Sequence, residues 1–245
     1  MKITAPYGYG EIIPLRKDHR VRLQAGTPAF CRRLNAIAVS VSEFAFAGRD
    51  YPIVFMTLDG GKTFAPAAVT GLDAESNLFV DAAGEWDRTT YIPAFVRRYP
   101  YCLSKLYVDG EPKGERVVCV ASEAVEASGT PLFVADGQPT PAWQNAERLL
   151  TEFEADLDRT AQACAALARL QLLEPFTAEV LAADRSQVRL AGMSRVTESR
   201  LRDQKASTHR MLVERGLMGL IYAHLHSLEN FSRLAARRRG AAGTG

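Results

Sequence analysis

The chain has no cysteine pair, no long apolar run and almost no net charge, and each absence removes a class of protein. Its four cysteines, Cys31, Cys102, Cys119 and Cys164, are scattered over 245 residues. None forms a C-x-x-C pair, so zinc ribbons and thioredoxin-type redox motifs are unsupported. No stretch approaches the roughly 20 apolar residues of a membrane span. The start, "MKITAPYGYGEIIPL", lacks the apolar segment of a signal peptide. These absences lead us to expect a soluble, cytoplasmic protein without a membrane span. The formal net charge is +2, so nothing global points to nucleic acid. Charge is nevertheless uneven. Residues 73–87 hold five acids and no base, while the end carries Arg233, Arg237, Arg238 and Arg239; a short basic end reads as a solvated tail.

What is present divides the chain near Gly137–Thr140. Before it come short apolar or alternating segments between turn residues: "EIIPL", "RVRLQ", "RLNAIAVS", "FAPAAV", "NLFVD", "LSKLYVD" and "RVVCVAS". "YPIVFMTL" is apolar on both faces and reads as a buried strand that needs a cover on each side. Ser40 and Glu43 stand at capping-box spacing and predict a short helix from Glu43 to about Arg49. Asp109-Gly110 signals a hairpin turn. After the break, Thr140-Pro141 opens a helix. Leu149, Leu150, Phe153, Leu157, Cys164, Leu167 and Leu170 recur at helical spacing up to the stop at Glu174-Pro175. "TAEVLAA" and "VRLAGMSRV" predict a hairpin around "DRSQ". "VTESRLRDQKASTHRMLVERG" predicts one or two helices, and "LMGLIYAHLHSLENFSRLAARR" a last one. The expected class is α+β, with a strand-rich N-terminal half packed against a helix-rich C-terminal half. We expect one interlocked domain over 1–245. Residues 1–137 should be mostly β and 140–238 mostly α with a hairpin near 177–196, and 239–245 should be a disordered tail.

Several motifs fail on inspection. "GGKT" at Gly60–Thr63 lacks the first glycine of a phosphate-binding loop, since Met56 stands there; a hairpin turn fits better. "GMSRV" lacks the second glycine of a nucleophile elbow. His224 and His226 lie two apart, about 200° around a helix, so their rings diverge and no metal site is expected. No cofactor signature is present, and no catalytic residue can be assigned.

One stretch carries more chemistry. "GEWDRTTYIPAFVRRYPY", residues 84–101, concentrates aromatic rings, arginines and prolines. Pro93 suits the first turn of a short helix and Tyr99-Pro100 its end. Tyr91, Phe95 and Tyr99 form one stripe by their spacing of four. This stripe reads as core, with the arginines as caps or partners of nearby acids. It reads equally as a clamp in which Trp86, Tyr91, Arg97 and Arg98 grip a carboxylate, a phosphate or a peptide. Tyr222 and His224 on the last helix are further candidate ligand-binding residues.

"YPIVF", "NLFVDAAGEWDRTTYIPAFVRRYPY" and "GLMGLIYAHLHSLENFSRL", in this order and with the long helix and "VRLAGMSRVTESRL" between, resemble the SapC family over almost the whole chain. The resemblance implies an association with bacterial surface-layer protein or peptide handling. It supplies no catalytic residue. Three functions remain open. The first is a soluble accessory protein holding a protein or peptide partner or a small anionic ligand. The second is a small enzyme with a site between the halves and His224 as general base. The third is a self-assembling surface-layer component.

Overall fold

The computed structural model describes residues 3–23, 26–57, 59–108, 111–181 and 187–242. Its strands are β1 (Ile12–Pro14), β2 (Arg20–Val21), β3 (Ala36–Ala38), β4 (Ile53–Met56), β5 (Ala65–Val69), β6 (Tyr101–Val108), β7 (Glu111–Ala121), β8 (Thr130–Pro131), β9 (Leu173–Leu181) and β10 (Gln187–Val196). The helices are α1 (Phe44–Ala47), α2 (Ala94–Arg97), α3 (Pro141–Arg169), α4 (Glu198–Arg202), α5 (Ala206–Glu214), α6 (Leu217–Ser227) and α7 (Asn230–Ala242). Strands dominate the first part and helices the second, so the class is α+β.

The chain divides into two compact units, each made of two segments. The first comprises Met1–Cys31 and Ala94–Ala155, the second Arg32–Pro93 and Asp156–Gly245. The composition break near residues 137–140 is therefore no unit boundary, and α3 contributes residues to both units.

In the first unit an antiparallel sheet runs in the order β1-β7-β6, and β2 pairs with β8. Its core gathers Val21, Tyr101, Val120, Ala121, Leu132, Trp143 and Leu150. Tyr101 and Trp143 meet edge to face, with ring centroids 5.5 Å apart. Pro93 precedes α2 as expected, because its fixed φ suits a helix start and its missing N–H costs nothing there. The Asp109-Gly110 turn lies outside the described residues, but Val108 and Glu111 pair on either side of it.

In the second unit an antiparallel sheet runs β3-β5-β4-β10-β9. The "YPIVFMTL" strand is its centre, and Ile53, Val54 and Phe55 are buried. The expected capping box is present: Ser40 N donates to Glu43 Oε2 at 2.8 Å, and a short 3-10 turn leads into α1. The β9–β10 hairpin forms with a bulge between Leu190 and Met193, and the "DRSQ" turn lies outside the described residues apart from Gln187, where β10 starts.

Four local expectations need correction. "NLFVD" is no strand, because the Asn77 side chain accepts from Phe79 N at 2.9 Å and turns the chain. Only a single bridge, Val80 to Trp86, remains there. Helix α3 stops at Arg169, before Glu174-Pro175. Gln171 turns the backbone at φ 55°, and Pro175 holds the preceding residue extended, in β9. The last helix is two, α6 and α7. Asn230 opens α7 and donates to the carbonyls of Gly48 and Tyr51, a tertiary anchor that no helical periodicity announces. Finally, α7 continues to Ala242, where the sequence suggested disorder; 243–245 lie outside the described residues.

Candidate functional site

Of the aromatic residues singled out from sequence, Trp86 and Tyr91 are committed to internal contacts. Trp86 is buried, and its Nε1 donates to Tyr51 Oη (3.2 Å) and Thr90 Oγ1 (3.1 Å). Tyr51 Oη in turn donates to the carbonyl of Tyr91, so Trp86 and Tyr91 share one neighbourhood. Tyr91 Oη donates to Glu43 Oε1 at 3.1 Å, and its ring stacks on Phe46. Tyr222 is half-exposed and lines a small cleft with Leu201, Arg202, His209 and Met218.

His224, two residues on, points the other way and is fully buried. Val196 N donates to its Nε2 at 3.0 Å, and Nδ1 lies 2.9 Å from the carbonyl of Ile53. Nε2 is thus the acceptor and Nδ1 carries the proton. Both nitrogens are occupied by backbone, and burial pushes the imidazole pKa down to about 4. A general base needs a free lone pair facing substrate, and this ring offers none. It ties α6 to β4 and β10.

Arg97 and Arg98 belong to the first unit. Arg97 is exposed. Arg98 is 6% exposed, with its guanidinium over the rings of Phe153 (4.4 Å), Phe95 (4.8 Å) and Tyr9 (5.8 Å). Its Nε has no hydrogen-bond partner among the described residues.

A groove that the sequence reading missed lies wholly within the second unit. Its volume is about 800 Å³, in the range of binding clefts. Helix α3 contributes Arg159, Gln162, Ala163 and Ala166, at i, i+3, i+4 and i+7. Helix α6 contributes Gly219, Leu220 and Ala223, preceded by Gly216, whose φ of 69° favours glycine. Phe44 and Ala45 of α1 complete the apolar lining. Such spacing puts one face of each helix toward the groove, and the small side chains keep it open. A Cβ added at Gly219 would meet nothing within 4 Å.

A polar network borders this groove. Ser40 Oγ donates to the buried Glu43 at 2.9 Å and lies 3.3 Å from Asp156 Oδ2. Ser42 donates to the same Asp156 oxygen, and Arg159 Nε donates to Oδ1 at 3.0 Å. Burial alone would raise the Asp156 carboxyl, but the hydrogen bonds from Ser42 and Arg159 outweigh it and hold it below the usual range. Asp156 therefore stays ionised and neutralises Arg159. Arg215, exposed at the rim, has no such acid among the described residues, so among the side chains that line the groove two arginines face one acid. The arrangement has an apolar floor, a hydrogen-bonded acid and a cationic rim. It suits binding an apolar segment that carries a carboxylate.

No helix among the described residues is long and apolar enough to cross a membrane. No curated protein matches the chain, and no solved structure does. The model of one family, SapC, matches residues 16–234, nearly the whole of the sequence whose groove and buried cluster are described above. The chain belongs to the SapC family.

Proposed function

We propose that this chain is a soluble cytoplasmic accessory protein that holds a peptide segment of a partner protein in the groove of its second unit. The groove carries the proposal: two helices present small side chains at helical spacing around about 800 Å³ of space, with Arg215 at its rim. Grooves of this kind take amphipathic segments by their apolar face. The uncompensated cation favours a segment with a carboxylate, through steering and register more than raw affinity. The family's association with bacterial surface-layer protein supports placing the partner among proteins handled for the cell surface. Of the expected clamp of Trp86, Tyr91, Arg97 and Arg98, all but the exposed Arg97 already pack and bond internally, which favours the groove.

The test uses a fluorescein-labelled amphipathic peptide with two glutamates and its lysine counterpart, read by fluorescence polarisation on the full chain. The acidic peptide should bind more tightly. Arg215→Glu should weaken it about fivefold, equivalent to about 1 kcal/mol for an exposed charge. Gly219→Leu should abolish binding of both peptides while the circular dichroism spectrum and thermal midpoint persist. Equal binding of the two peptides, together with unchanged binding by Gly219→Leu, would refute the reading.

A further inference from the structure

On the β6–β7 ribbon of the first unit, Cys102 and Cys119 are direct register partners. Both are free thiols with 0% exposure. The backbone of Ala121 donates to Pro100 on the β6 side, and Leu15 N donates to Val118 on the β1 side. This alternation turns the polar backbone of Cys119 toward Cys102, which makes them a hydrogen-bonded pair. Opposed residues project from the same face of the sheet. Their Cα atoms in such a pair are about 5.5 Å apart, inside the roughly 4.4–6.8 Å that a disulfide spans. Their Cβ atoms stand toward the wide end of the roughly 4.5–5.5 Å of cross-strand pairs, beyond the roughly 3.5–4.5 Å of a relaxed bridge, so closing the bond must draw the two strands together locally.

A second observation bears on reactivity. Burial, and then the neighbouring Cys119, push the Cys102 thiol up to about 12, while the Arg98 guanidinium works in the opposite direction. That guanidinium sits in its aromatic cage with Nε unpartnered. When the ribbon opens to water, the burial penalty disappears and a cation is left beside the sulfur. This is the setting that favours a thiolate.

We infer that Cys102 and Cys119 form a disulfide-forming site, bridged through exchange with a small disulfide such as oxidised glutathione while the ribbon folds or opens. The Cys102 thiolate attacks one glutathione sulfur, and the displaced glutathione leaves as a thiolate that takes up the released proton. The Cys119 thiolate then attacks the Cys102 sulfur of the mixed disulfide and expels the second glutathione. Two protein thiols and one oxidised glutathione become one protein disulfide and two reduced glutathiones. The bridge closes residues 102–119 into a loop at the root of the ribbon, where β1 pairs through Pro14 and Cys119. In the closed fold both sulfurs are shielded, so the site records the redox state of the medium in which the chain folded.

The experiment refolds the full chain from denaturant in a glutathione redox buffer, alkylates free thiols and maps the peptides. The expected product has lost two hydrogens, links Cys102 to Cys119, and carries alkyl groups on Cys31 and Cys164. Its thermal midpoint should rise by roughly 6–12 °C over the reduced form, less any strain in the bridge. Cys119→Ala should instead trap Cys102 as the glutathione adduct. Should oxidative refolding precipitate, folded protein in sub-denaturing urea with oxidised glutathione gives the same readout. Alkylation of both residues, or linkage of either to Cys31 or Cys164, would overturn the inference.

Discussion

Acid should weaken this fold through one histidine. His224 is buried and neutral, with Nε2 accepting from Val196 and Nδ1 donating to Ile53. Its pKa is about 4, against 6.5 for the ordinary group. Above pH 6.5 neither the folded nor the unfolded chain is protonated there, and the contribution to stability is complete. Between 6.5 and about 4 the unfolded chain binds a proton that the folded chain refuses, so stability falls as pH falls. The gap, at about 1.4 kcal/mol per pH unit, gives about 3 kcal/mol. Urea unfolding of wild type and His224→Gln at pH 7, 5.5 and 4 isolates it, because every other titrating group is present in both proteins. Glutamine can accept from Val196 and donate to Ile53, so the variant should keep its fold. The wild type should lose about 3 kcal/mol more than the variant between pH 7 and pH 4. Parallel stability curves would refute the assignment of a buried neutral imidazole.

Two glycines give opposite expectations. Gly219 lies in the first turn of α6 with open space at its Cβ position, so Gly219→Ala should stabilise by up to about 0.5 kcal/mol, seen as a rise of roughly 1–2 °C in thermal midpoint. At Gly71 a Cβ would stand 1.8 Å from the Ser76 carbonyl oxygen, a backbone atom that cannot step aside. Gly71→Ala should therefore lower the urea midpoint markedly, by a loss of about 3 kcal/mol or more.

Much of the fold was legible where local chemistry decides it. The β-branched run at Ile53–Met56, the hydroxyl cap and proline at Thr140-Pro141, and the Ser40/Glu43 pair all act within a few residues of themselves. Asn77 and Asn230 were opaque because their side chains redirect the chain through bonds that periodicity does not encode. Arg98 misled for a related reason. A guanidinium in sequence suggests solvent, and only the three-dimensional convergence of Tyr9, Phe95 and Phe153 shows it caged. The groove was hidden more deeply. Ser42, Asp156 and Gly219 are far apart in the chain, and small residues draw no notice until two helices set them face to face. Trp86, Tyr91 and Arg98 serve packing, while the groove owes its space to alanine and glycine on its two helices.

The interleaving of the two units has a consequence on the ribosome. Strand β4 finds its partner in β10 through Phe55 with Ser194 and Met56 with Met193. Translation at roughly 5–20 residues per second separates these partners by on the order of ten seconds. All of the first unit has been made once Ala155 has emerged, whereas β4, which lies between that unit's two segments in the sequence, must wait for β10. During that interval the apolar central strand lacks one of its two neighbours, the kind of unpaired edge that is prone to aggregation.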